Sequence, residues 1–555
     1  MAQTAAPPDG PTPARSSRSM VATVHPLATQ AALDALDRGG NAIDAAIAAG
    51  FMLGVVDGYN SGIGGGCFIL IRTADGRLSA IDGREMAPAA AHRDMYLVDG
   101  EPDTRLSKTG AMAAGVPGAL AAYAQAVARH GNLDLADVIL PAARVAEQGF
   151  EVTPVYARRL ASVADTIREF PATAAVLLQP DGTPWQAGQV LRQPDLANTC
   201  RCIANDGTDW FYDGEFARRT GQWMKDHGGV MTAADFANYH TVDRQPVMTR
   251  WRDFEIIGFP PPSSGGVHVA QILNMLENHE LPLGTVEEQT RSVHLIAEAM
   301  KRAFADRAWW LGDPDFAEVP RGLLDKDYAA GLAGQIDLAE AVPVTSHGTP
   351  PRADADFFER HTTHVAAADA EGNWVAMTTT LNTTFGSKVI IPGTGVVLNN
   401  QMDDFSIAPG IPNAYGLVGT ESNCVQPGKR PLSSMSPTIV LRDGQPVMTV
   451  GAAGGPLIIT QVLLTLLRHL QFGMPLEEAV GAPRFHHQWS PDLLYLESGF
   501  DDRIRSGLES RGHRIRMNRT GGVTQAIVRD QQTGVFQGVH DPRTSGLAAG
   551  QTDRD

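Results

Sequence analysis

Two groups of threonines are placed where they could do chemistry. Thr362 and Thr363 sit where the polar run ERHTTHV gives way to the small-residue stretch VAAADAEGNWVAMTTTLNTTFG, and Thr378, Thr379, Thr380, Thr383 and Thr384 follow. A threonine hydroxyl attacks a carbonyl only when a base takes its proton. TTHVAAAD and WVAMTTTLN flank AEGN, the pattern of a β-hairpin. With residues 369–373 as the loop, 368 pairs with 374, and counting back pairs 362 with 380. Directly opposed residues share a face with their Cβ atoms ~5 Å apart. Thr378, Thr380 and Asn382 then share one face by alternation. Threonine is also simply a good strand former, and on pattern alone that account stands ahead of a catalytic one.

Other stretches bear on the same chemistry. SGIGGGCF ends a GxGxxG-like spacing on Cys67 and leads into a strand, so a dinucleotide loop is excluded by context. GAAGGP, with Gly451, Gly454 and Gly455, follows a strand and precedes a helix. Free amides at such a turn can hold an anion or an oxyanion, and an ordinary tight turn explains the spacing equally well. The hairpin at Asp443-Gly444 brings GAAGGP back toward RPLSSMSPT, which places Ser433 and Ser434 beside those amides as a possible carboxylate site. His361-x-x-His364 on a strand would aim its rings at opposite faces, and His486-His487 has no nearby partner set. No metal or cofactor is expected.

The elements that must position these residues are legible in outline. HPLATQAALDALDRGGNAIDAAIAAGFMLGVV reads as two helices, the first stopped at Gly39-Gly40 and the second capped by Asn41. CFILIRTADGRLSAID reads as a hairpin turning at Asp75-Gly76. Helical stretches follow at 111–130, 135–149 and about 290–310. From Thr362 the texture turns to strands: SKVII and GVVLNN flank PGT, and TIVLR and QPVMTV flank Asp443-Gly444. Helical pattern returns at PLIITQVLLTLLRHLQF, PLEEAV and 503–512. Buried helices around hairpin-rich sheets predict a layered α/β sandwich, with the 361/362 boundary a seam inside one fold.

Composition excludes several classes. The chain has 555 residues, 43% of them apolar and 19% charged, as in a globular protein with an ample core. Its net charge of −17 argues against nucleic acid or an anionic membrane as a partner. The four cysteines, Cys67, Cys200, Cys202 and Cys424, are too few for a disulfide framework. No apolar run approaches the ~18 residues that span a bilayer. MAQTAAPPDGPTPARSSRSM lacks the apolar centre of a signal peptide, so residues 1–19 are expected to be a disordered tail. The expected location is cytoplasmic as written, or periplasmic if an export signal is missing.

TTHVAAAD…GN, TLNTTFGS, LNNQMDDFS, NAYGLVG, KRPLSSMSPTIV, GAPRFHHQW and PPPSSGG together resemble the gamma-glutamyltransferase family. GGNAIDAAIA, REMAPAAAHRDMY and the late DPR extend the resemblance from about residue 20 to 550. The resemblance implies a four-layer αββα sandwich of the N-terminal nucleophile hydrolase type, made as a precursor that cleaves itself between His361 and Thr362. It implies a large subunit over 20–361, after the tail, and a small one over 362–555. The freed α-amine, with an ordinary pKa of about 7.7–8.0, could then serve Thr362 as base. Thr380 matches a threonine that hydrogen-bonds the nucleophile, and the Gly454 and Gly455 amides match an oxyanion hole. Arg84, Ser433 and Ser434 match the holders of a glutamyl α-carboxylate; Asp404, Gln401 and Asn382 match those of its α-ammonium. Tyr415 matches a lid tyrosine.

The implied activity is γ-glutamyl transfer from glutathione or a related amide to water, an amino acid or a peptide. Departures from the family pattern are Gly83, in place of an aromatic residue, which is expected to widen the donor pocket; Asp57, near a histidine position; and the absence of serine and arginine around the GAAGGP glycines. These keep a glutaryl-type (cephalosporin) acylase of the same fold as an alternative, with an unprocessed, non-catalytic binding protein behind it.

Overall fold

The computed structural model describes residues 13–351, 363–518 and 522–551. Two seven-stranded antiparallel sheets stack face to face. The first runs in the order 547–549, 19–23, 364–369, 374–380, 66–72, 78–83, 242–244. The second runs 14–16, 536–540, 523–529, 445–453, 438–442, 254–258, 247–251. Each sheet takes strands from both sides of the 361/362 junction, which is therefore a seam within one fold.

Alternation along the strands divides the core into three layers. Between the sheets lie Phe68, Leu70, Ala366, Ala368, Trp374, Ala376, Ile439 and Ile527. The outward residues of the first sheet, such as Ile69, Ile71, Val365, Val375 and Met377, pack with helices Pro26–Asp37, Ala42–Val56 and Ala119–His130. Those of the second, such as Val440, Met448, Val450 and Ala526, pack with Gly265–Leu276, Val286–Trp310 and Leu457–Leu466. The arrangement is the four-layer αββα sandwich. Both central sheets are covered on both faces, which is why their strands read as apolar nearly throughout.

The first two helices form where expected. Asn41 Oδ1 accepts from the Ile43 and Asp44 amides while Asp44 returns a bond to the Asn41 amide, a complete capping box. The hairpins at 66–83 and 438–453 are present, the second with a bulge between Val440 and Leu441.

Three expectations are corrected. The tail expected over 1–19 is corrected at its later part, where Ala14–Ser16 pair with Phe536–Gly538 and Ser19 opens an interior strand; residues 1–12 lie outside the described residues. The helix expected over 111–130 begins at Ala119, after a single turn at Ala111–Ala113. SKVII and GVVLNN face each other but do not form regular strands: besides the Ile390–Val397 bridge, the Leu398 amide donates to the Val389 carbonyl and the Leu398 carbonyl accepts from the Ser387 amide, both at 2.9 Å. Lys388 adopts φ 65, and the Ile390 amide and Thr394 carbonyl bond instead to Thr173 and Thr199.

The GIGGG loop is a packing device. The Gly65 carbonyl accepts from the Gly118 and Ala119 amides at 2.9 and 3.0 Å, anchoring the start of the 119–130 helix. On its other side a Cβ at Gly65 would overlap the Thr380 carbonyl oxygen. Gly65→Ala is therefore expected to lower stability by about 1–3 kcal/mol, the usual cost of overpacking, measured by chemical denaturation in a Thr362→Ala background.

Candidate functional site

The site grows out of one hairpin. Ala368 stands opposite Trp374 and His364 opposite Thr378, as the sequence register predicts. Thr363 and Thr379 exchange backbone bonds, the Thr379 amide donating to the Thr363 carbonyl at 2.6 Å. The register thus holds to within one residue of the predicted 362–380 pair. His361 and Thr362 themselves lie outside the described residues.

Thr380 ends the strand opposite Gly66 and is buried. The alternation expected to carry on to Asn382 stops here, because Asn382 adopts φ 77. Its amide donates to Thr380 Oγ1 at 2.8 Å, so the two residues are joined by a turn rather than by a shared strand face. An asparagine held in left-handed backbone is a mark of a site whose surroundings over-determine its shape. Asn382 Nδ2 donates to the Asn400 carbonyl at 2.9 Å, and Tyr415 donates its hydroxyl to the Asn382 carbonyl at 2.6 Å.

Beyond Asn400 the chain makes the turn Gln401–Asp404. Asp404 Oδ2 accepts from Gln401 Nε2 at 2.6 Å and from Arg84 Nη2 at 2.8 Å, with both members of the ion pair fully buried. Arg84 also donates to the Pro431 carbonyl and faces Glu85 at 3.4 Å. Burial pushes the Glu85 carboxyl up to about 7, against the pull of Arg84. The residues expected to bind opposite ends of a zwitterion thus form one cluster.

Gln401 and Asn382 spend their NH2 groups on acceptors, which leaves their oxygens as acceptors too. Asn382 Oδ1 and Gln401 Oε1 are both buried and, among the described residues, have no hydrogen-bond partner. Such orphans cost about 1–3 kcal/mol each unless a ligand meets them.

Ser433 and Ser434, expected beside the glycine amides, make their described hydrogen bonds elsewhere. They lie along the Pro262–Ser264 turn: Ser433 bridges Ser263, its amide donates to the Pro262 carbonyl, and its carbonyl accepts from the Ser264 amide. Ser434 Oγ accepts from Arg307 Nη2 at 3.3 Å. Arg307 Nε donates to Ser264 Oγ at 3.1 Å. Burial lowers Arg307 to about 10, against the charge of Asp404. Sequence reasoning missed Arg307. It lies within a long helix with no local motif, and only the fold brings it to the serines.

Gly454 and Gly455 occupy the turn between the 445–453 strand and the 457–466 helix with φ 135 and 60. No described group accepts a hydrogen bond from either amide. The Tyr415 ring lies over Gly455, where an added Cβ would meet Tyr415 Cδ1 at 2.6 Å. Both glycines, Tyr415 and Asn382 line a cavity of about 530 Å3, together with Asp57, Tyr59, Arg158 and Arg159. Thr380, Arg84, Gln401, Asp404, Ser433 and Ser434 are not on its wall.

Two departures now have a structural meaning. A Cβ on Gly83 would meet Ala122 Cβ at 2.5 Å and the Gly118 carbonyl at 3.0 Å. Its small size admits the 119–130 helix and does not widen a pocket, contrary to expectation. Asp57 is buried at the cavity wall, where it accepts from Asn60 Nδ2 at 3.2 Å and from Thr363 Oγ1 at 3.4 Å. Burial raises it to about 7, opposed by bonds from Tyr59, Asn60 and Thr363. Among the described residues no group of histidine, cysteine and acidic side chains could hold a metal ion. His486 and His487 instead bond Thr460, Gln488 and Asp492.

The Gamma-glutamyltranspeptidase family model matches residues 28–551. The glutathione hydrolase proenzyme of Escherichia coli is 42% identical over 96% of this chain and 91% of its own length. Acylase ACY 1 proenzyme of Pseudomonas sp. strain SE83 is 40% identical over 93% of this chain and 90% of its own. The crystal structure of cephalosporin acylase from Bacillus halodurans superposes with a TM-score of 0.88 at 30% identity, covering 99% of both chains.

A raised Asp57 binds a proton in the folded state that the unfolded chain has already lost between about pH 4 and 7, so stability falls as pH rises through that window and levels above it. In a Thr362→Ala background, Asp57→Asn is expected to shallow that decline in thermal melts. Some slope remains, since Glu85 is shifted by the same cause.

Proposed function

Since this chain belongs to the gamma-glutamyltranspeptidase family, we propose that it is a self-processing γ-glutamyl hydrolase and transferase acting through Thr362. Cleavage between His361 and Thr362 would separate a 20–361 large subunit, with its preceding tail, from a 362–555 small one. The interleaving of strands from both parts in both sheets would keep them together. Before cleavage the Thr362 nitrogen is an amide and cannot accept a proton; afterwards it is an amine on the same residue as the hydroxyl. Processing is the on-switch.

In the processed enzyme the amine, directly or through water, takes the Thr362 hydroxyl proton as the oxygen bonds to the γ-carbonyl carbon of the donor. The carbonyl oxygen becomes an oxyanion at the Gly454 and Gly455 amides; such a donor contributes about 2.7–4 kcal/mol to the transition state. Collapse breaks the C–N bond, the departing amine collects the proton, and a glutamyl ester remains on Thr362. Water, or the amine of an amino acid or peptide, attacks that ester by the same route in reverse. Thr380 positions the nucleophile, and Tyr415 covers the site.

The observation that carries the γ-glutamyl reading is the cluster of acceptors around Asp404. The carboxylate and the two orphaned oxygens of Gln401 and Asn382 suit an α-ammonium group. Arg84, with Ser433 and Ser434, would take the α-carboxylate through charge-assisted bonds. A glutaryl donor has no ammonium and would leave those acceptors unmet, which disfavours the acylase alternative. Glutathione, or a related γ-glutamyl amide, is the donor this arrangement suits.

Two measurements test this. Intact-mass analysis is expected to find fragments meeting at His361–Thr362, and a single uncut chain for Thr362→Ala. Processed protein should turn over γ-glutamyl anilide in strong preference to glutaryl anilide. Asp404→Asn should lower kcat/KM for the first by roughly a hundredfold, as expected when a buried charged contact of about 3 kcal/mol is lost, and narrow the gap between the two. An equal rate on both anilides in the wild type would instead support the acylase.

A further inference from the structure

The cavity beside Gly454 and Gly455 has a charge pattern that the glutamyl group does not explain. The residues assigned to the glutamyl carboxylate and ammonium, apart from Asn382, are absent from its wall. With the carbonyl carbon at the glycine amides and the glutamyl end directed toward Arg84 and Asp404, the cavity is left for what lies on the other side of the scissile amide.

That space is lined by Arg158 and Arg159, consecutive residues on the helix Pro154–Ala161. Both are exposed, and neither guanidinium has a hydrogen bond or ion pair to a described residue. Arg543 also lines the cavity, but its charge is met by Glu497 and Asp541. Among the described residues the one carboxylate on the wall is Asp57, which is buried and bonded to Asn60 and Thr363. In a chain of net charge −17, two arginines facing one cavity with no ion pair among the described residues are a local reversal of sign. Such a reversal in a concave, partly enclosed space concentrates anions there, and a guanidinium matches a carboxylate bidentately.

We propose that Arg158 and Arg159 form a subsite for an anionic group on the leaving-group side of the amide, so that favoured donors carry a carboxylate there, as the cysteinylglycine half of glutathione does. The inference rests on the γ-glutamyl reading above and adds the charge of the group released. The arginines act on binding and orientation and hold no proton in the reaction.

The test compares two donors that share the glutamyl half: glutathione, whose leaving group is anionic, and γ-glutamyl-p-nitroanilide, whose leaving group is neutral. In processed Arg158→Gln/Arg159→Gln protein, the ratio of kcat/KM for glutathione to that for the anilide is expected to fall by roughly tenfold, the value of one charge-assisted contact in an open cleft. Most of that change should appear in KM. Raising the salt should lower the same ratio in the wild type, because solvent-exposed charges are screened. Arg158→Lys/Arg159→Lys should keep most of the ratio, and complete self-cleavage on a gel reports that each variant is folded. A ratio unchanged in the glutamine variant, or an equal loss on both donors, overturns the subsite. A wild type that turns over neither donor overturns the γ-glutamyl reading, and the subsite with it.

Discussion

Backbone pairing between His364–Asp369 and Trp374–Thr380 is the constraint on which the rest depends. These strands sit at the centre of the first sheet, and a slip of one residue would turn every side chain to the opposite layer. The register fixes Thr363 within reach of Asp57 and Thr380 against Gly66. It also sets the His364 ring over Gly451 of the facing sheet, a position where any Cβ would collide with the imidazole. The glycine loops are the complement of that register. Gly65 and Gly451 are small because a strand carbonyl and a buried ring already fill the space.

Around this frame the fold buries far more charge than a core needs. Arg84 pairs with Asp404, Arg430 and Arg244 converge on Asp82, and the Arg307 guanidinium, among the described residues, hydrogen-bonds only hydroxyls. Taking such groups out of water is costly, and hydrophobic replacements of the same shape are often as stable or more so. Their use is positional. A guanidinium and a carboxylate already desolvated and held by several bonds need no reorganisation when a charged ligand arrives. The oxygens of Asn382 and Gln401, without partners among the described residues, belong to the same logic under the proposed reading, in which an ammonium group would meet them.

Tyr415 links the two halves of the site. Its hydroxyl is tied to the Asn382 carbonyl and its ring lies on Gly455, so it touches both the turn at the end of the nucleophile hairpin and the proposed oxyanion turn. On one side of it is the open cavity with Arg158 and Arg159; the Arg84–Asp404 cluster is off that wall. A residue so placed can separate the space proposed for the glutamyl group from the space proposed for what is released.

The sequence by itself determined the hairpin register, the helix boundaries at Gly39-Gly40 and Asn41, the layered sandwich and the family. The first three rest on short-range rules: loop length sets register, an asparagine caps a helix, alternation marks a buried face; the family rests on the resemblance of its motifs. The motifs around Thr362, Arg84, Asp404 and Gly454-Gly455 were legible because they are continuous in the chain. What only the tertiary structure decided are the meetings between distant segments. Ser433 and Ser434 meet the Pro262–Ser264 turn and Arg307, contacts that no local motif announces. Gly83 makes room for a helix, and Arg158 and Arg159 face the glycine turn across nearly 300 residues of chain. Local pattern carries no information on such contacts, because they are fixed by how whole layers pack and not by the residues next to them.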